Sequence, residues 1–394
     1  MLLFALVAGC APAQDFNKQL RDITGPYRFD LIKWELSALI QEVGNLFSHQ
    51  QESTDNATAT YFANVERIKK LESEIKDVRA GGRRGDLASL EDELDERQRQ
   101  NAELADAIEK LLETQIREAF SRQGIFNPVD KYVRIKIGFP PVNIHLGKPP
   151  HLLVVSPRDR IESIREVTLL PDMTQEDMES IEAKIDSLGV SSLVVGLGGM
   201  STYPSYVTDK ADVRFMLDTA GEEWLHQYLS FTPLGFLYVL DLAGIHRNYD
   251  IATMNETVAS MVSKEIGAII YKQYYARDGA DDMEQATESG FDFNKEMREI
   301  RKAVDDYLKR GEIEQAEEFM EQKRQYLAEN GYHIRKLNQA YFAFYGTYAD
   351  SPTSISPIGV ELKELRSQSA SLKDFLDVVT GMTSRQDLAE WVRE

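Results

Sequence analysis

With 394 residues, 42% of them hydrophobic and 28% charged, the chain has the composition of a folded protein large enough for two or three domains. A net charge of −20 argues against nucleic acid and against an anionic membrane surface as partner. A single cysteine, Cys10, excludes an intrachain disulfide.

The chain opens on "MLLFALVAGC", an apolar run ending Val7-Ala8-Gly9-Cys10. It resembles a bacterial lipobox, in which small residues admit a peptidase ahead of a cysteine that is lipidated and becomes the new N-terminus. The basic residues that usually begin such a signal are missing, so a plain secretory signal or an apolar tail is the competing reading. No other segment offers the ~20 uncharged apolar residues that cross a bilayer. The expectation is an extracytoplasmic protein of a bacterial envelope, with residues 1–14 as signal and tether and a membrane anchor on Cys10.

Residues 15–126 read as a helical arm. "FDLIKWELSALIQEVGNLF" is amphipathic, and Val65, Ile68, Leu71, Ile75 and Val78 then recur at three- and four-residue steps. Leu87, Leu90 and Leu94, followed by Leu104, Ile108 and Leu111, do the same beyond "AGGRRG", whose glycines stop a helix. The pattern predicts two long antiparallel helices joined by a turn. Arg97 and Asn101 interrupt the seam, so it is not a continuous coiled coil. The arm carries no visible chemistry. Its expected role is structural, or contact with another envelope protein.

Residues 127–210 are strand-rich. "KYVRIKIGF" alternates apolar and charged residues as a half-buried strand does, and "HLLVVSP" reads as a short buried one. "TQEDMESIEAKIDSLG" is a helix with Thr174 as its cap and Gly189 as its stop. "SSLVVGLGGMSTYPSYV" is a strand running into a turn; Pro204 follows its glycines where a phosphate-binding loop would open a helix, so tight backbone geometry is the better account. Residues 211–350 are mainly helical, with a loop at "DDMEQATESGFDFNKE" and a break at Gly311, and 351–394 form a helical tail.

The chemistry is concentrated in "DKADVRFMLDTAGEEWLHQYL". On a helix Glu222 and His226, four apart, project from one face and can reach one cation, while Glu223 is displaced by a single residue. In "MNETVASMVSKEIGAIIYKQYY" Glu256 shares a stripe with Ser260, Ser263 and Gly267, which suits close packing of one helix on another. Trp224, Leu225, Tyr228 and Leu229 crowd the same turns as the glutamates. Buried carboxylates then need a cation, an arginine such as Arg214 or Arg247, or protonation. A di-iron carboxylate bundle is disfavoured, because no other histidine follows a glutamate by three residues.

Glu-Glu-Trp-Leu-His followed by Asn-Glu-Thr-Val-Ala resembles the gluzincin zinc metallopeptidases, the group of thermolysin-like and neutral-aminopeptidase enzymes. The resemblance covers residues 190–350 and is densest at 219–267. It implies a zincin-like domain, a small sheet plus active-site helices, within a predominantly helical α+β protein. It also implies one zinc ion per chain on His226 and Glu256, with Glu222 in the place of the first histidine of H-E-x-x-H. Glu223 would activate metal-bound water to attack a peptide carbonyl of a peptide or protein substrate. "SLVVGLGGMSTYPSYV" would be the substrate-pairing edge strand. Tyr341 or Tyr345, with His333 as a rival, would donate to the oxyanion. Exchanging a neutral ligand for the anion Glu222 lowers the ion's net positive charge, which favours slower chemistry, another divalent metal such as manganese, or no catalysis. The competing function is a catalytically inactive envelope lipoprotein that serves as a binding or structural module.

Overall fold

The computed structural model describes residues 13–29, 54–79, 85–129, 136–276 and 291–393. Cys10 and its apolar run, residues 30–47 of the first amphipathic segment, most of the 80–85 turn, residues 131–135 of "KYVRIKIGF" and residues 281–290 of the later loop lie outside them. The protein is α+β and predominantly helical. Among the described residues the strands are β1 (Ile144–Gly147), β2 (His151–Pro157), β3 (Arg165–Leu169), β4 (Val190–Gly196), β5 (Gly199–Met200) and β6 (Ser205–Thr208). They form two three-stranded sheets, one in each of two compact units that are discontinuous in sequence.

The first unit draws on Met1–Asp30, Pro150–Gly196 and Asp292–Gly346. Its sheet has the order β3-β2-β4, antiparallel throughout, with His151 opposite both Leu169 and Gly196. Leu153 and Val155 of β2 alternate onto one face, where they join Leu20, Ile181, Ile185 and Val194 in a core. Ile181 and Ile185 come from helix Gln175–Asp186, which starts as the sequence requires: the Thr174 hydroxyl accepts from Asp177 N and the Asp177 side chain accepts in return. Glu182 on this helix is 3% exposed yet fully engaged, accepting from Val194 N at 2.7 Å and from Arg335 at 2.6 and 2.9 Å. Helices Phe293–Lys309 and Ile313–Glu329 turn at Gly311, whose φ of 74° only glycine adopts cheaply.

The second unit draws on Leu31–Pro149, Leu197–Phe291 and Thr347–Glu394. Helices Thr54–Arg79 and Leu87–Arg122 run antiparallel, as Arg79 on Glu91 and Asn101 on the Tyr61 carbonyl show. The residues that break their apolar seam form a polar layer in which Arg97 donates to Asn64 Oδ1 at 3.1 Å. Below that layer Ile108, Leu112, Ile116 and Phe120 enter the unit's main core. Two glutamates on the same helix fix β1, Glu113 accepting from Ile144 N and Glu109 from Leu146 N. The sheet has the order β1-β6-β5, with β1 parallel and β5 antiparallel to β6. Residues 136–139 are not a strand; Phe139 N donates to the Phe126 carbonyl instead. Helices Val213–Leu229, Pro233–Leu242 and Tyr249–Tyr274 follow, and Ile358–Gln368, Leu372–Val379 and Arg385–Trp391 close the core with Leu362, Phe375, Leu376 and Leu388.

Candidate metal centre

Helix Val213–Leu229, the site helix, begins where Asp212 accepts from Phe215 N. Its apolar side is anchored by Leu217, Trp224, Leu225 and Tyr228. Trp224 Nε1 donates to the Pro140 carbonyl at 2.8 Å, and its ring lies 4.3 Å from that of Phe120. That anchoring turns Asp218, Glu222 and His226 toward helix Tyr249–Tyr274, the partner helix, which starts on the Asn248 cap. The two approach closely because small residues meet at the crossing. A Cβ on Gly267 would come within 1.9 Å of Asp218 Oδ1, and one on Gly221 within 3.4 Å of Ser263 Cβ.

At this crossing one donor atom each of Glu222, His226 and Glu256 lies within 4.8 Å of the other two. His226 Nδ1 donates to Asn255 Oδ1 at 2.9 Å, which turns Nε2 toward Glu256 Oε2, 3.6 Å away. The other Glu256 oxygen accepts from the Tyr238 hydroxyl. Tyr348 hydrogen-bonds Glu222. Thr257, next to Glu256, places that tyrosine by accepting from Ala349 N at 2.9 Å. Glu223 lies under β5, where a Cβ on Gly199 would come within 2.6 Å of its Oε1. Ser201 donates to the Glu223 carbonyl at 2.9 Å, which ties the end of β5 to the helix.

Glu222 and Glu223 are half-buried, with protein packed round them and a margin open to solvent. Burial, and next the charge of Glu256, push the Glu222 carboxyl from its ordinary 4.5 up to about 8, against the opposing pull of Lys264. Burial and the two neighbouring glutamates hold Glu223 well above its ordinary value. The Tyr348 phenol is raised well above its ordinary value, chiefly by burial, so it stays a donor. Arg214 is held by Asp218 at 2.9 and 3.0 Å, Arg247 lies 4.0 Å from Asp241, and Lys264 is paired with Asp350 at 2.6 Å. Three carboxyl groups thus converge beside the His226 imidazole while the nearby cations are engaged elsewhere. Protons or a metal ion must balance them.

The donor set suits a divalent cation. Ligands about 2.0–2.1 Å from a tetrahedral zinc stand roughly 3.3 Å apart, close to the His226–Glu256 separation, and one nitrogen with two carboxylates is a zinc-compatible set. Asn255 fixes the imidazole tautomer, as partners of metal-bound histidines do, so Asn255→Ala should weaken zinc binding about 10- to 100-fold by competition with a chromophoric chelator.

Tyr341 and Tyr345 lie in the first unit, on helix Gln339–Tyr345, with ring centroids 4.5 Å apart and hydroxyls raised above their ordinary range chiefly by burial. His333 is exposed in the same unit. The phenols that meet the carboxylates are Tyr238 and Tyr348, which sequence reasoning missed. Tyr348 lies three residues past Tyr345, beyond Gly346 where helix Gln339–Tyr345 ends, so helical spacing does not place it. Tyr238 sits in an apolar helix where nothing in the local pattern distinguishes it from a core residue. No protein family, curated protein or solved structure matches the chain.

Proposed function

We propose that the chain is an extracytoplasmic metal-dependent peptidase of gluzincin type, in which Glu222, His226 and Glu256 hold one zinc ion. The observation that carries the reading is the convergence of these three donors beside Glu223, with His226 Nε2 turned toward Glu256. A bound divalent ion supplies Lewis acidity toward water and toward a carbonyl oxygen. Glu223, one residue off the ligand stripe, takes the proton of the attacking water and returns it to the leaving amine. Tyr348 donates toward the oxyanion that develops on the carbonyl. Tyr238 holds Glu256 in place through its second oxygen. The outer strand β5 lies over Glu223 and offers backbone groups to an extended peptide. The apolar run before Cys10 supports placing this activity on an envelope lipoprotein.

The zinc-loaded chain is therefore expected to cleave a mixed-sequence fluorogenic peptide pool, to stop when a chelator removes the metal, and to recover when zinc is returned. Absence of cleavage by a chain that carries one ion would contradict the peptidase and favour a binding or structural module built on the same metal centre.

A further inference from the structure

Helix Pro233–Leu242 is apolar apart from Tyr238 and Asp241, yet it is not enclosed. Its inner side carries Leu234, Asp241 at 7% exposure and Tyr238 on Glu256. Phe236, Val239 and Leu242 recur every three residues on an arc of about 120° and are 56%, 43% and 53% exposed. Phe231 before the helix and Ile245 after it extend the row, at 58% and 73% exposure. Phe139 joins it with its ring 5.1 Å from that of Phe231. A contiguous apolar ridge of this kind marks a surface that another phase or molecule covers.

Charge says which. The chain has 65 acidic residues, yet between Phe231 and Tyr249 the only one is Asp241, which is turned inward and accepts from Asn248 N at 2.6 Å. The exposed charge in the stretch is cationic, Arg247. A second copy of a chain at −20 is repelled, whereas a neutral lipid surface accepts an acid-free apolar ridge without desolvating carboxylates. We infer that the Phe231–Ile245 ridge is a monotopic contact with a zwitterionic lipid surface, its side chains seated at the headgroup–acyl boundary. The inference does not rest on the metal centre.

The test is a local probe on the full chain, because the apolar N-terminal run can itself hold the protein on lipid. In a Cys10→Ser background, Leu242→Cys and, as a control on an exposed position of the same unit, Glu364→Cys are each labelled with an environment-sensitive dye. Vesicles of phosphatidylcholine and phosphatidylethanolamine should shift the emission at position 242 to the blue and leave position 364 unchanged. Adding Phe236→Ser should raise the lipid concentration needed by about tenfold. No shift at 242 in the presence of vesicles would overturn the inference. So would a lipid-independent shift that grows with protein concentration, because a second copy would then cover the ridge.

Discussion

Zinc added to the metal-free chain at pH 8 should raise its unfolding midpoint by roughly 5–10 °C, and by clearly less at pH 6. Binding at a hundredfold excess over Kd stabilises the folded state by about 2.7 kcal/mol, and a domain of this size gains roughly 2–4 °C per kcal/mol. The pH dependence follows from Glu222. Its folded-state pKa, about 8, lies above the ordinary 4.5, so between these values the unfolded chain binds fewer protons than the folded one. The metal-free fold therefore loses stability as pH rises through that window, by up to about 1.4 kcal/mol per unit from this group. Glu223, also held well above its ordinary value, adds to the decline. A divalent ion favours the ionised carboxylates and removes the decline. Differential scanning fluorimetry from pH 5 to 9, with and without zinc, reads both effects. A metal-free stability that climbs with pH would show that these carboxylates are already compensated inside the fold.

Glu223→Gln should lower peptide hydrolysis by about 10²- to 10⁴-fold and leave metal content at one ion per chain. The substitution keeps size and hydrogen-bonding capacity beneath β5 but removes the carboxylate proposed as the base. It also removes a half-buried acid that is repelled by Glu222 and Glu256, so the metal-free variant should be more stable than the parent at pH 8. Steady-state kinetics beside metal analysis separates the possibilities. Loss of the ion together with activity would make Glu223 a ligand, and full activity would end its role as base.

Much of this site is written in local spacing. Glu222 and His226 lie four apart on a helix, Glu256 lies on the next long helix, and the small residues at Gly221, Ser263 and Gly267 permit the close crossing. Thr174 and Gly311 likewise act where their chemistry says they must, one capping a helix and the other turning one. What local spacing cannot express is assembly over long distances. Residues Pro150–Gly196 fold with Asp292–Gly346, and Thr347–Glu394 joins the unit that holds the site, so compact units cut across contiguous blocks of sequence. Strand β3 escaped notice because it is five residues long and begins on two exposed charged side chains, Arg165 and Glu166, while β1 is only four. The alternation in residues 136–139 is real, but Phe139 bonds the Phe126 carbonyl and no ladder forms. Tyr348 reaches Glu222 through the pairing of Ala349 with Thr257, a contact across 92 residues that no helical period predicts.

The measurement that bears most directly on the central claim is metal content by mass spectrometry of the purified full chain, beside His226→Ala and Glu256→Ala. The account predicts about one zinc per parent chain and loss of the ion from both variants, since each removes one of three protein ligands. No metal in the parent after zinc reconstitution, or one ion retained in both variants, would contradict it.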